Sequence, residues 1–406
     1  MAYNIAAPPA QNEFIYLGNK KIRASSAVNQ LQLVTERLLL PRSAPASTCL
    51  QSGTTDIIWD INQDSGVDLL TDLQLRLTLA NSDGSNAMAV VDGFSLVDYW
   101  ILECNGVQIQ GDFGQSMRKI FALTTPQSQL AVSCSAVGLN SSTFVASNAI
   151  GTSSNVTIYV PIKTLLSAAR VELFRPNTNF RLTIRTISGA NCVLSTSAAA
   201  VTALTVSNVA LVAQGLLLGE SIRHKRLQDR STHTYRYLDV SRDTLSYGSL
   251  TSGTVATANY QNSGMLAFAF LDLQSTAAAQ ETLYTPSAIT AVDVLSNGQV
   301  INSSLGDNSN LYTIVKALAS HHWSNTAILA QLNEFYVTFT ENPEATVKSS
   351  ANHGFRVING NTESVRINPG ATIASARVNW YGYWYAYIDV DGNGHVNVSR
   401  NAVHTY

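Results

Sequence analysis

The chain has 406 residues, a formal net charge of −2 and only 13% charged side chains. That length supports two separate cores, and that charge balance gives no bulk attraction to nucleic acid or to an anionic membrane, so no sequence-specific nucleic-acid partner is expected. A surface poor in charge and rich in Ser, Thr, Asn and Ala suits a protein that buries much of itself against its own copies.

The opening stretch, "MAYNIAAPPAQNEF", lacks the basic start and the long apolar run of a secretory signal. No run anywhere reaches the roughly eighteen apolar residues of a membrane span. Residues 1–48 read as an N-terminal arm. Within the arm, "SSAVNQLQLVTERLLLPR" predicts a helix with Ser25 or Ser26 as N-cap and Pro41 as the stop. Val28, Leu31, Val34 and Leu38 would share one face, although the alternation of Leu31 and Leu33 leaves a strand as the alternative. Lys20, Lys21 and Arg23 are candidates for contact with a packaged genome or anionic lipid on an inner surface, at no more than about 1 kcal/mol each.

Strands follow, marked by alternation. In "TDLQLRLTLA", Leu73, Leu75, Leu77 and Leu79 share one face, while Gln74, Arg76 and Thr78 share the other. "FRLTIRT" repeats the pattern with Phe180, Leu182 and Ile184. "MLAFAFLD" does so with Leu266, Phe268 and Phe270. Gly, Asn, Ser and Asp punctuate the gaps, as turns require. No strand–helix alternation of βαβ spacing appears, so a parallel α/β sheet is disfavoured. The most basic part of the chain, "SIRHKRLQDRSTHTYR", divides two strand-rich halves. Residues 49–222 form the first domain, 223–236 a basic linker, and 237–406 the second domain. Arg223, His224, Lys225, Arg226 and Arg230 read as a solvated linker more readily than as a nucleic-acid site, given Glu220 and Asp229 beside them. Residues 317–335 are expected to be partly helical.

The halves look duplicated. "WILECNGVQIQGDFGQSMRKIFAL", from Trp100, and "AVDVLSNGQVINSSLGDNSNLYTIVKAL", from Ala291, present the same order of strand, Asn-Gly corner, short strand and loop. Asn105 and Asn297 stand 192 positions apart, and Lys119 and Lys316 stand 197 apart. "NFRLTIRT", from Asn179, and "ASARVNWY", from Ala374, stand 195 apart. Eight strands in two Greek keys make a jelly roll, so the expected fold is all-β, two eight-stranded jelly rolls in tandem with short connecting helices.

Little in the chain speaks for catalysis or for a cofactor. Gly-x-Ser-x-Gly, Gly-x-x-x-x-Gly-Lys and His-Glu-x-x-His are all absent. Cys49, Cys104, Cys134 and Cys192 lack zinc-ligand spacing and read as reduced structural thiols. The His321-His322-Trp323 run cannot converge on one ion. "DVDGNGHVNVSR" places Asp389, Asp391 and Asn393 as the early positions of a calcium loop. Arg400 stands where the bidentate acid belongs, so a hairpin turn is the plainer reading. In "ARVNWYGYWYAYIDV", alternation puts Val378, Trp380, Gly382, Trp384, Ala386 and Ile388 on one face, expected in the core. Tyr381, Tyr383, Tyr385 and Tyr387 share the other face, too aromatic to be left bare, and are candidates for an interface with the first domain or a neighbouring subunit.

Three stretches resemble the double jelly-roll major capsid proteins of the tectivirus- and adenovirus-like viral lineage. They are "LVDYWILECNGVQIQGDFGQSMRKI", "VTIYVPIKTLLSAARVELFRPNTNFRLTIRT" and "SVRINPGATIASARVNWYGYWYAY". Tectivirus-like bacteriophage coats carry the nearest pattern, including a helix before the first strand. The resemblance implies a non-enzymatic shell protein of the virion, made in the host cytoplasm. It implies homotrimers of sixfold outline that tile the facets of an icosahedral capsid. The partners it implies are neighbouring capsomers, minor capsid and vertex proteins and, as a further candidate, an internal lipid membrane. A jelly-roll receptor- or carbohydrate-binding protein, a spike or lectin with Tyr312 and Trp323 stacking on sugars, is the competing reading.

Overall fold

The computed structural model describes residues 14–17, 20–23, 32–194, 196–252, 256–259, 262–275, 289–303, 335–349, 354–358 and 363–399. A small hairpin, β1 (Phe14–Leu17) and β2 (Lys20–Arg23), comes first. The first half then contributes β3 (Gln32–Leu39), β4 (Asp56–Ile61), β5 (Leu69–Asn81), β6 (Met88–Val90), β7 (Val97–Cys104), β8 (Val107–Phe113), β9 (Asn148–Ile150), β10 (Asn155–Pro161), β11 (Phe180–Thr186) and β12 (Leu204–Leu218). Helices α1 (Gly93–Leu96), α2 (Gly114–Thr124), α3 (Leu130–Val137) and α4 (Leu165–Ala168) lie in its connections, and α5 (Glu220–Gln228) leads out of it. The second half contributes β13 (His233–Leu250), β14 (Ala256–Asn259), β15 (Gly264–Ser275), β16 (Ile289–Ser296), β17 (Gln299–Ser303) and β18 (Phe335–Thr338). Helix α6 (Pro343–Ser349) follows, then β19 (Arg356–Ile358), β20 (Glu363–Pro369), β21 (Ile373–Val390) and β22 (Val396–Ser399).

The strand orders match position by position. In the first half one sheet runs β10-β5-β12-β3 and the other β4-β11-β7-β8. In the second half the main path of one sheet runs β13-β21-β15-β18 and the other β14-β20-β16-β17. Read in the same direction, β3 matches β13, β12 matches β21, β5 matches β15 and β10 matches β18. Likewise β4 matches β14, β11 matches β20, β7 matches β16 and β8 matches β17. Each half is an eight-stranded jelly roll, and all the ladders are antiparallel. The Asn-Gly corners are equivalent: Asn105 and Gly106 have φ of 51° and 80°, and Asn297 and Gly298 have 48° and 77°. Two successive positive φ values define the tight hairpin turn that Asn-Gly adopts at little cost.

One landmark used to argue duplication pairs the wrong strands. "NFRLTIRT" becomes β11, whose counterpart is β20, whereas "ASARVNWY" opens β21, the counterpart of β12. The true separations are 183 positions from Phe180 to Glu363 and 169 from Leu204 to Ile373. Loops of unequal length make the offset drift, and the near-equal spacing of 195 came from matching neighbours. Lys316 lies outside the described residues, as does nearly all of the segment expected to be helical over 317–335.

The helix expected between Ser25 and Pro41 is also corrected. Residues 24–31 lie outside the described set, and Gln32–Leu39 is a strand that pairs with β12 from Leu39↔Leu211 to Leu218↔Gln32. A helix there would leave one edge of β12 without partners, and eight residues of ladder outweigh a weak local preference. Leu39 packs toward the core and its carbonyl accepts from the Trp59 indole at 3.2 Å. The first roll therefore takes in residues assigned from sequence to the arm. Lys20, Lys21 and Arg23 fall on β2, opposite Leu17, Tyr16 and Phe14. The basic linker is divided too, between α5 and the first residues of β13.

The cores follow the alternation. Leu73, Leu75, Leu77 and Leu79 of β5 are buried, as are Phe180, Leu182 and Ile184 of β11. Val378, Trp380 and Trp384 of β21 join the core of the second roll with Leu271, Leu273, Val365 and Ile367. Ala386 and Ile388, expected beside them, belong instead to the larger cluster that extends into the first roll. Gly382 lies where a Cβ would come within 2.7 Å of the Trp384 indole nitrogen, so this glycine leaves room for that ring.

A truncation removing residues 1–40 should melt at least about 4 °C below one removing residues 1–31, because only the former deletes β3. Equal melting temperatures, read by circular dichroism, would contradict the placement of β3 in the sheet.

Candidate functional site: the seam between the two rolls

The two rolls meet where β8 and α2 of the first cover the outer face of β13, β21 and β15 of the second. Local sequence sets this up. Phe113 ends β8, and Gly114 starts α2 where a Cβ would stand 2.1 Å from the carbonyl oxygens of Phe94 and Val97. Only glycine lets the chain turn so close to α1. The helix then directs Gln115, Ser116 and Lys119 at the second roll.

Polar groups in the seam are matched across it. The Gln110 side chain donates to the Leu238 carbonyl at 2.8 Å and accepts from the Leu165 N–H at 2.7 Å. The Gly111 N–H donates to Asp239 at 3.0 Å. The Tyr237 hydroxyl donates to the Ile109 carbonyl, and Tyr381 donates to Gln115. Ser116 and Tyr383 share a hydrogen bond. Lys119 forms an ion pair with Asp272 at 2.9 Å, with both side chains almost fully buried, and Asn379 donates to the second carboxylate oxygen at 2.8 Å. Both oxygens of this acid thus have a partner, as a buried charge requires.

Apolar contacts fill the space between. Tyr381, Tyr383 and Tyr385 are buried, and Tyr387 is half-buried beside β22. Tyr383 stacks on Phe268 with ring centroids 4.3 Å apart, and Tyr381 lies 6.2 Å from Phe113 of the first roll. Of the face that alternation singled out, Tyr381 and Tyr383 meet Phe113, Gln115 and Ser116 of the first roll, whereas Tyr385 lies against Thr346 and Phe355 of its own half. Sequence reading missed β8 and α2 as the covering elements, and missed Lys119 as more than a landmark. A lone lysine in a segment that starts "GQSMRKIFAL" was the available signal.

A small cavity of about 60 Å³ remains, lined by Asp112, Gln110, Met117, Tyr237 and Tyr383 among others. Loss of surrounding water pushes the Asp112 carboxyl up to about 7. The nearby Asp239 adds to the rise, while Ser116 and the Phe113 N–H, 2.7 Å away, oppose it.

A second seam closes the far end. Glu172, buried, accepts from Arg175 at 2.7 Å and pairs with Arg226 of α5. Arg175 also donates to the Gly392 carbonyl at 2.9 Å, and Asn177 donates to the Asn393 carbonyl at 2.9 Å. Arg226 is thus held in a buried ionic cluster, which corrects its reading as a solvated linker charge. The turn weighed as a calcium loop supplies the other half of this latch. Asn393 accepts from Arg230 at 2.5 Å, and Asp389 accepts from Thr234 at 2.5 Å. The N–H groups of His395 and Asn393 donate to Asp391 and hold its carboxyl below the usual carboxylate range. The three side chains are spent on different partners within and beside the turn. Among the described residues no three His, Cys, Asp or Glu side chains gather as a metal site needs. All four cysteines are free and buried, and burial pushes the thiols of Cys104 and Cys134 up to about 11. His321, His322, Trp323 and Tyr312 lie outside the described residues.

No family model matches the sequence, and no curated protein does. Solved structures match in shape. The VP54 protein of PBCV-1, a crystal structure fitted into a cryo-EM reconstruction of the virophage Sputnik, aligns with a TM-score of 0.69 at 11% identity, over 91% of this chain and 97% of that one. The Faustovirus major capsid protein aligns at 0.62 and 9% identity, over 88% and 90%. The mavirus major capsid protein aligns at 0.51 and 11% identity, over 91% of each. At these identities the likeness establishes the fold, a double jelly roll.

Replacing Lys119 by Met should cost about 3–5 kcal/mol of unfolding free energy, because Asp272 is left charged and buried. The double change Lys119→Met with Asp272→Asn should recover part of that loss in urea titrations, and no recovery would contradict the pairing. Asp112 gives a pH test. The unfolded chain ionises this acid near pH 4, the folded chain only at about 7. Between those values the unfolded state binds fewer protons, so this group makes stability fall as pH rises, with the full penalty above 7. Asp112→Asn should flatten that fall and raise the melting temperature at pH 8. An unchanged pH profile would remove Asp112 from the account.

Proposed function

We propose that this chain is a major capsid protein, a structural and not an enzymatic component of an icosahedral virion. The observation that carries the reading is the pair of jelly rolls with one strand order, locked by a buried seam, in a shape shared over most of its length with proteins named as viral capsid proteins. One chain then supplies two similar units at a fixed angle. Three chains supply six, and a homotrimer acquires a hexagonal outline that can meet six neighbours on a flat facet. Low charge favours such contacts, since fewer ions lose water when the surfaces close. Neighbouring capsomers, minor capsid and vertex proteins are the partners in this reading. The β1–β2 hairpin, with Lys20, Lys21 and Arg23, is the candidate for meeting a genome or an internal membrane. The competing lectin reading rests on Tyr312 and Trp323 and gains no support from the seam.

Purified protein should sediment as a trimer of the 43.7 kDa chain and show hexagonal outlines or closed particles in negative-stain micrographs. Subunit contacts should exceed roughly 2,000 Å² of buried surface, as obligate assemblies do. A stable monomer at micromolar concentration, with no particles, would contradict the proposal.

A further inference from the structure

Lys119, Asp272 and Asn379 meet with more order than an ion pair needs. Asp272 of β15 stands directly opposite Asn379 of β21, and Asn379 stands opposite Thr244 of β13. Residues directly opposite each other share a face of the sheet, so three neighbouring strands set these side chains in a row. Lys119 reaches the row from α2 of the first roll. Its Nζ donates to one oxygen of Asp272 at 2.9 Å, and the Asn379 amide donates to the other at 2.8 Å. A single carboxylate thus holds an amine on one oxygen and a primary amide on the other. The Asn379 carbonyl in turn accepts from the Thr244 hydroxyl at 3.1 Å. Lys119, Asp272 and Asn379 are buried, at 3%, 0% and 2% exposure, and Nζ lies 5.4 Å from the centre of the Tyr381 ring.

An amine, a base between, and an amide with a donor on its oxygen are the parts of an acyl transfer. We propose that Lys119 and Asn379 join in a self-formed isopeptide bond, with Asp272 as the base, so that the two rolls become covalently linked. Lys119 gives a proton to Asp272 along the existing hydrogen bond, and the neutral Nζ swings from the carboxylate to Cγ of Asn379. The Nζ–Cγ bond forms, and the Thr244 hydroxyl stabilises the oxygen as it gains negative charge. Asp272 hands its proton to the amide nitrogen and takes a second one from Nζ. The Cγ–Nδ2 bond then breaks, and the nitrogen departs as ammonium with that second proton. Overall an ammonium and a primary amide become a secondary amide and an ammonium ion, and no other reactant is consumed. Burial keeps water from competing for the amide. Thr244 is exposed on the far side of Asn379 from Asp272, which gives the ammonium ion a short way out. The ion pair is then the unreacted state of the site. Lys119 and Asn379 stand 260 positions apart on different rolls, so the site is complete only when the rolls have docked. The chemistry is internal to one chain and independent of the capsid reading.

The test is mass spectrometry of the full chain, kept folded at neutral pH and then denatured. The chain should weigh less than its sequence by the mass of one ammonia. A tryptic digest should contain a branched peptide in which the Lys119 side chain is joined to that of Asn379. Lys119→Arg keeps a cation beside Asp272 and removes the nucleophilic amine. This variant should fold, as circular dichroism would show, and have its full mass and no branched peptide. The unaltered chain alone decides the matter, so a variant that failed to fold would not shield the proposal. A folded, unaltered chain of full mass overturns it. So does an ammonia loss that maps to an Asn-Gly turn, such as Asn105-Gly106 or Asn297-Gly298, with no branched peptide. Either result leaves the trimer and the capsid reading untouched, since sedimentation and micrographs test those separately.

Discussion

The fold depends on one constraint: β21 is buried on both sides. Its eighteen residues send Trp380 and Trp384 into the core of the second roll and Tyr381, Tyr383 and Tyr385 out of it. A central strand carrying these five buried aromatic side chains cannot face water on either side. The first roll must therefore dock, and its docking surface must answer the tyrosine hydroxyls as well as their rings. Gln115 and Ser116 meet the Tyr381 and Tyr383 hydroxyls, and the Lys119 ammonium lies over the Tyr381 ring. The buried Lys119–Asp272 pair fixes the registry. Shifting α2 by one turn would strand a charge on each side, a penalty far larger than the loss of a few apolar contacts.

A fixed angle between two similar units is what the proposed capsid role needs. The latch at Glu172, Arg175 and Arg226 holds the opposite end, so the rolls are restrained at two places far apart in sequence. The turn Asp391–Gly394 belongs to this latch, which gives its glycines and acids a structural use. Gly392 sits where a Cβ would come within 2.4 Å of the Arg230 backbone, and the close approach lets Arg175 reach its carbonyl.

Much of the fold was legible because strands declare themselves by alternation. Leu73 to Leu79 and Phe180 to Ile184 needed no tertiary information, and the paired Asn-Gly corners carried the duplication. The faces of β21 were legible for the same reason. What failed was decided by partners far away in sequence. Gln32–Leu39 has residues that suit a helix or a strand, and only the free edge of β12 selects the strand. The equal spacing of "NFRLTIRT" and "ASARVNWY" misled because loop lengths, which alternation does not register, differ between the halves. Arg226 looked solvated because Glu172, its partner, stands 54 residues earlier in the chain. The seam itself was half visible. The tyrosines announced a covered face, but nothing local to "GQSMRKIFAL" said that its lysine would find an aspartate 153 residues away.

The central claim is that the two rolls behave as one body through the seam. Native-state hydrogen exchange tests it most directly, because it reads the opening free energy of each strand. The account predicts that amides of β8 and α2 in the first roll and of β21 in the second share one opening free energy, and that Lys119→Met lowers all of them together. Separate values for the two sets, with the variant changing only the first roll, would show two independent domains and contradict the account.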